Sequence, residues 1–384
     1  MESRVVTPAF ARLWLATFGA FASFGMIVLA LPLYAKDELD ASSVGVGIAM
    51  GAGSVTAVIF SPLSGRIADR RGRRPVVIVG AVGMIACYLV LALTPGMAAV
   101  VAIRLAAGAA EATFVVAVYT AVADIAPEVR RGEAMSLVTL ASYLGLTIGP
   151  VTADLVLGGG RFALVWLVAA GLVVSATASV ATLRETRPHT EVAPSAAWLP
   201  PRSALGPGLL VLIAMAGFGG FAAFAALYAR ELGIDRPGLV FALFGGVIVL
   251  VRALGRKLPD ALGPERILAV SFVSLAVGLA TIGAWQTPAG LIVGTIVFAS
   301  GQALAYPAAV LLAMNASSTE ERAAVVGSVG AFVDVALGLG AVILGGVASV
   351  TGYGGSFLVA SAIALSGLLA VASLRRSRRI PAVT

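Results

Sequence analysis

The chain has 384 residues, carries a net charge of +7, and is 59% hydrophobic with only 12% charged residues. Soluble domains carry about 25% charged residues, so at a mean hydropathy of +1.01 a water-soluble fold is excluded and the bilayer must act as solvent. The basic residues are scattered over short loops with no aromatic-interleaved patch, which argues against a nucleic-acid partner, and the single Cys87 and single His189 exclude an intrachain disulfide and a cysteine metal cluster.

Twelve apolar runs are predicted as spanning helices, at 10–33, 43–64, 75–94, 97–121, 133–157, 162–183, 206–229, 237–255, 265–285, 288–313, 322–349 and 353–374. Their lengths suit the roughly 20 residues that cross a hydrocarbon core. They are rich in Ala, Gly, Val and Leu without period-2 alternation, which favours helices over barrel strands. The 45 glycines suit close helix packing in lipid. The first run is longer than a signal-peptide core and lacks a small-residue cleavage site, so it reads as a retained span. The longest polar interruption, 184–205, contains Pro188, Pro200 and Pro201, which stop a helix from running through. It divides the chain into a six-helix bundle at 1–183, a linker at 184–205, and a second six-helix bundle with a short basic tail at 206–384.

Charge sets the topology. With both termini inside, the inner segments hold 21 of the 26 basic residues; the outer ones hold only Lys36, Arg161, Arg230 and Arg236, and Arg104 lies within a span. This asymmetry is a strong positive-inside signal, supports an even number of spans and puts both termini in the cytoplasm.

One hydrophilic island, Gly65-Arg66-Ile67-Ala68-Asp69-Arg70-Arg71-Gly72-Arg73-Arg74-Pro75, joins spans 2 and 3. A weaker copy lies 191 residues on, where Asp260 matches Asp69 and Gly263 matches Gly72. Leu33-Tyr34-Ala35-Lys36 likewise echoes Leu227-Tyr228-Ala229-Arg230, and Arg130-Arg131-Gly132-Glu133 echoes Glu321-Arg322-Ala323-Ala324. Two parallel halves with a charged hinge in each are the layout of a rocking transporter. A tight loop between packed helices calls for Gly65 at the contact and Gly72 at the turn, while Asp69 suits the positive end of a neighbouring helix. The alternative is an ordinary solvated basic loop.

Three ionisable residues lie well inside spans: Arg104, Glu111 and Asp334. Such groups are costly in lipid and face a cavity or a partner. Arg104 and Glu111 are seven apart, on one helix face and about 10 Å apart along the axis, with Gly108 between them. Thr295 and Gln302 stand at the matching positions of the second half. Glu111 and Asp334 are therefore candidates to carry a proton and Arg104 to tune Glu111; the alternative is an ion pair of Arg104 with Glu111 or Asp334 that only holds helices together. Phe18, Phe21 and Phe24 recur as Phe218, Phe221 and Phe224, each set a stripe along one helix face that suits an apolar ligand or, equally, packing. Tyr306-Pro307 and Pro150 mark possible bends.

The island resembles the signature loop between helices 2 and 3 of the major facilitator superfamily, and with twelve spans, a central linker and two related halves the resemblance covers essentially the whole chain. Arg104-Leu105-Ala106-Ala107-Gly108 is similar to the family's R-x-x-x-G motif. Gly145-Leu146-Thr147-Ile148-Gly149-Pro150 is similar to the G-x-x-x-G-P motif of its proton-driven antiporters, with Ala153 and Asp154 where a glycine pair usually follows. Leu29-Ala30-Leu31-Pro32 matches the end of the span-1 motif of drug exporters, whose acidic start is absent.

The resemblance implies an all-α membrane protein of two pseudo-symmetric six-helix bundles, working by rocker-switch alternating access. It implies that spans 1, 4, 7 and 10 line a central cavity, with Phe18, Phe21, Phe218, Phe221, Gln302 and Tyr306 as substrate-cavity candidates beside Arg104 and Glu111. It further implies that Arg73 pairs with an acid at the inner end of span 4, for which Asp124 is the candidate. Gly65, Asp69, Arg70, Gly72, Arg73, Asp124, Asp260 and Gly263 would then form a gating region, and Gly145, Gly149 and Pro150 would shape the helix that seals the outer path. The expected function is proton-coupled efflux of a small organic molecule by a monomer in the inner membrane, in contact with lipid and protons and without a cofactor. A proton symporter importing a sugar or metabolite is the alternative. No G-x-x-x-x-G-K-[ST] stretch is present, so the chain is not expected to hydrolyse ATP. An intramembrane enzyme is disfavoured, since the spans contain no histidine and few acids, and a sensor is disfavoured because no segment is long enough for an appended soluble domain.

Overall fold

The computed structural model describes residues 5–93, 96–158, 160–186, 201–255, 262–318 and 321–379. Among them the chain is almost wholly helical. The first half contains α1 (Pro8–Asp37), α2 (Ser43–Arg71), α3 (Arg73–Leu91), α4 (Met97–Ile125), α5 (Arg131–Leu157) and α6 (Phe162–Ala181). The second contains α7 (Arg202–Glu231), α8 (Gly238–Leu254), α9 (Pro264–Ala284) and α10 (Pro288–Asn315), then a long stretch that Gly352 divides into α11 (322–351) and α12 (353–379). At φ 73°, ψ 176° Gly352 leaves the helical region, so this stretch is two helices. Among the described residues ten stretches are long and apolar enough to cross a membrane; the last of them holds both α11 and α12, and α8 is a shorter apolar helix, which makes twelve there.

Helix starts are chemically marked. The Thr7 hydroxyl accepts from the Phe10 N–H at 3.2 Å ahead of Pro8, and Thr287 accepts from Gly290 at 3.2 Å ahead of Pro288. Each pairing satisfies a free N–H, and proline fills a position that lacks an intrahelical bond anyway. The island is more helical than a loop: α2 runs on to Arg71, with Arg70 and Arg71 in its negative last turn, and Gly72 alone separates it from α3.

Two compact units emerge. One holds the first half except for residues 42–51, at the start of α2, which group with the second half. Within the first unit α1 is the most enclosed helix and packs on α5 and α6; within the second, α7 is the most enclosed and packs on α11. The two packings match. A Cβ on Gly149 of α5 would strike the Ala22 carbonyl of α1, and a Cβ on Gly340, 191 residues later, would strike the Ala216 carbonyl of α7. The lipid-facing surfaces match too: exposed Val79 and Val82 of α3 correspond to exposed Val270 and Val273 of α9. In hydrocarbon there is no hydrophobic drive between helices, so backbone proximity at small residues supplies the packing energy.

Gly149→Leu should therefore lower the thermal midpoint of the purified protein in detergent, since overpacking a close contact costs about 1–3 kcal/mol. Gly340→Leu should do the same, whereas Gly171→Leu, where nothing lies within 4 Å of the added carbon, should leave the midpoint unchanged. Equal midpoints for all three would show that these contacts are not limiting.

Candidate functional site

The first unit carries two polar clusters. The first is at the junction of α2 and α3. Gly72 takes φ 101°, as Gly263 takes φ 76° ahead of α9; both cap a helix start in a conformation open to glycine. The space a Gly72 side chain would need holds the Glu185 carboxylate. Glu185, just past α6, accepts from the backbone N–H of Arg73 at 2.8 Å and of Arg74 at 3.3 Å. A carboxylate on two free N–H groups at the positive end of α3 is a favourable N-terminal interaction.

Arg73 is nearly enclosed, at 4% exposure. Its Nε donates to Asp124 Oδ2 of α4 at 2.7 Å, and its Nη1 lies 3.0 Å from Asp69 Oδ1 and 2.9 Å from the Ala68 carbonyl. Arg74 donates to the Ala181 carbonyl at the end of α6. The helix ends of α2, α3, α4 and α6 are thus tied through one buried guanidinium and three carboxylates. Gly65 sits half-buried opposite Val116 of α4, and Arg70 is exposed. Asp260 lies outside the described residues. Glu185 escaped the sequence reading because a single acid in a polar linker carries no positional signal; only the fold returns the end of α6 to the start of α3.

The second cluster lies mid-helix. Arg104 Nη1 donates to Glu111 Oε1 at 3.1 Å, within α4 itself. The arginine side chain is 6% exposed and the glutamate 16%, so the carboxylate is the more accessible partner. Room for the guanidinium comes from α2. The position a Gly53 Cβ would take is 2.7 Å from Arg104 Nη2, and a Cβ on Gly108 would strike the Gly53 carbonyl. Thr56 seals the crossing by donating to the Leu105 carbonyl at 2.6 Å, and Ser64 bonds Thr113 at 2.8 Å one step further along.

The matching positions of the second unit hold no charge. Gly53 corresponds to Phe244, Arg104 to Thr295 and Glu111 to Gln302. Thr295 is fully buried and Gln302 is 5% exposed. Gln302 Nε2 donates to Met215 Sδ at 2.7 Å, while Gln302 Oε1 and Thr295 Oγ1 find no partner among the described residues. Phe244 stacks on Phe218 at 5.1 Å and on Phe221 at 5.1 Å.

The aromatic stripes diverge. Phe18 and Phe21 of α1 are half-buried; Phe18 stacks on Trp14 at 5.9 Å and the Phe21 Cβ lies against Gly145. Phe218 is half-buried. Phe221 has no exposed surface and is enclosed by Phe241, Phe244 and Phe298, so it is a packing residue rather than a cavity-lining one, because its helix is central to its unit. Gly145 and Gly149 hold α5 against α1, with Pro150 beside Gly25. Tyr306 of α10 is half-buried near Gly330, and Asp334 is half-buried on α11.

Glu185→Gln should loosen the α3 start by about 1 kcal/mol, the scale of a lost charged cap. Hydrogen–deuterium exchange should then quicken at residues 73–76 while α1 and α5 stay protected; unchanged exchange there would mean Glu185 does not hold this end.

Comparison with known proteins agrees with this architecture. The family model for the Major Facilitator Superfamily matches residues 13–258 and 207–383. The chain is 27% identical over 380 residues to an uncharacterised MFS-type transporter of Salmonella typhimurium, covering 95% of this chain and 96% of that one. It is 25% identical over 371 residues to the staphylopine export protein of Staphylococcus aureus, covering 91% and 92%. Among solved structures it is similar to the nucleoside transporter NupG (D323A mutant), with a TM-score of 0.80 at 14% identity over 95% of this chain and 99% of that one. A bacterial homologue of the human lysosomal transporter Spinster, in an inward-facing and occupied conformation, gives 0.81 at 12% identity over 96% of each. The chain belongs to the Major Facilitator Superfamily and is a multi-pass membrane transporter.

Proposed function

We propose that the chain exports a small organic molecule in exchange for protons, by rocker-switch alternating access, with Glu111 as the principal proton carrier. The observation that carries this reading is the Arg104–Glu111 pair itself: a carboxylate in a spanning helix, joined by one 3.1 Å bond to a nearly enclosed arginine and still 16% exposed. Ionisable groups in spanning helices are expensive and persist where they serve transport. The neutral counterpart of Glu111, Gln302, confines proton binding at this level to the first half. Asp334 is the second carboxylate candidate.

Export is favoured by the Gly145, Gly149 and Pro150 series along α5 and by similarity to a protein named for staphylopine export. The same reading has a monomer in the bacterial inner membrane, both termini cytoplasmic, with the Arg73 network as its inner gate and small-molecule substrate, protons and lipid as its partners.

Flux in proteoliposomes under an imposed pH gradient, screened over drugs, sugars and amino acids, tests this. Glu111→Gln should reduce proton-driven flux to background yet keep substrate exchange, which needs no net proton movement. Full gradient-driven flux in that variant removes Glu111 from the mechanism. Arg104→Gln leaves a carboxylate without its partner and should destabilise the protein by about 3–5 kcal/mol. The double variant Arg104→Gln/Glu111→Gln should regain thermal stability without regaining proton coupling; recovery of both would mean the pair is only a structural tie.

A further inference from the structure

The Arg104–Glu111 pair has a third neighbour. Tyr88 of α3 is 1% exposed. Helices α3 and α4 meet with Gly80 against Ala110 and Phe114 and Gly83 against Ala110. Tyr88 lies just beyond this contact, and helical side chains lean toward their own N-terminus, here back toward the level of Glu111. Its hydroxyl lies within electrostatic reach of both Glu111 and Arg104. Ser23 of α1 is a further polar neighbour, close enough to share a weak hydrogen bond with the Tyr88 hydroxyl, while its own proton goes to the Ala20 carbonyl at 2.7 Å. Tyr88 Oη makes no well-formed hydrogen bond among the described residues, and neither does Arg104 Nε.

Packing alone does not call for this hydroxyl. The matching residue of the second half is Leu279, equally enclosed at 1% exposure. A buried hydroxyl with no well-formed bond is destabilising, and phenylalanine would fill the same space without that penalty. The tyrosine and the charged pair occur in the same half, whereas the other half has Leu279 with Thr295 and Gln302.

We infer that Tyr88 is a positioning residue for the Glu111 proton: its hydroxyl oxygen accepts a hydrogen bond from Glu111 in the carboxylic-acid form, a bond the ionised, arginine-bound form does not make. This rests on the reading of Glu111 as the proton carrier. Glu111 takes a proton from water, its bond to Arg104 weakens, and the new O–H turns to Tyr88 Oη. On release the proton returns to water and the carboxylate returns to Arg104. The charged and titratable groups around Glu111 are Arg104 on its own helix and Cys87 and Tyr88 on α3. The neighbouring helix α1 offers the neutral Ser23, α2 the neutral Gly53 and Thr56, and α5 meets α4 through Ser142 on Tyr119, further along the helix.

The test needs no substrate. Infrared difference titration of the full-length protein in lipid follows the carbonyl stretch of protonated carboxyls, and the band lost in Glu111→Gln is that of Glu111. In Tyr88→Phe the midpoint of this band should move to lower pH by about half to one unit, the worth of one neutral hydrogen bond to the protonated form. Tyr88→Leu, which copies Leu279, carries the same expectation should the first variant not be recovered. A midpoint that stays put or moves to higher pH overturns the role of Tyr88 while leaving Glu111 as carrier. Absence of any Glu111 band across the accessible pH range overturns both.

Discussion

A charge held in hydrocarbon has to carry its partner with it, and much of the first half of this molecule is arranged around that constraint. The guanidinium of Arg104 is bulky and its ionised form cannot be left alone away from water. Its carboxylate partner sits two turns along the same helix, and its volume is accommodated by the neighbouring one, where Gly53 lacks the side chain that would collide with it. The crossing of α2 and α4 is close because Gly108 meets the Gly53 carbonyl with nothing between them. The pair and the helix crossing are therefore one device: enlarging either glycine would displace the arginine or part the helices.

The second half solves the same packing problem without the charge. Interiors are packed to nearly constant density, so a volume released at one position has to be taken up at another. Where the first half has Gly53 and Arg104, the second has Phe244 and Thr295, a large residue and a small one in exchanged places. The framework contacts stay: Gly149 on Ala22 becomes Gly340 on Ala216, and Gly72 ahead of α3 becomes Gly263 ahead of α9. Duplication kept the backbone contacts, which tolerate no added atom, and released the side chains between them. That divergence leaves one half with a part-buried ion pair at this level and the other with an aromatic cluster.

At the α2–α3 junction the same economy appears nearer to water. Arg73 serves Asp69 and Asp124 at once, while Glu185 neutralises the positive start of α3. Taken singly, exposed ion pairs contribute little. Arg73 is enclosed, and removing any one carboxylate leaves the rest imperfectly matched, so these helix ends respond as a unit.

Membrane residence, the number of helices and the repeat were legible from the amino-acid order, because hydropathy over a span and a constant offset between matching residues are properties of the chain in one dimension. The Arg104–Glu111 spacing was legible for a related reason, since residues seven apart on a helix share a face whatever surrounds them. Which neighbours complete those faces was not. Phe221 had the spacing of a ligand-facing stripe but lies enclosed by three other rings, as burial depends on the central place of α7 in its unit. Glu185 and Tyr88 read as a linker acid and a core aromatic. Only folding brings the first to the start of α3, 112 residues earlier at Arg73, and the second to the side of Glu111, because contacts between separate helices are set by packing in three dimensions rather than by any local period.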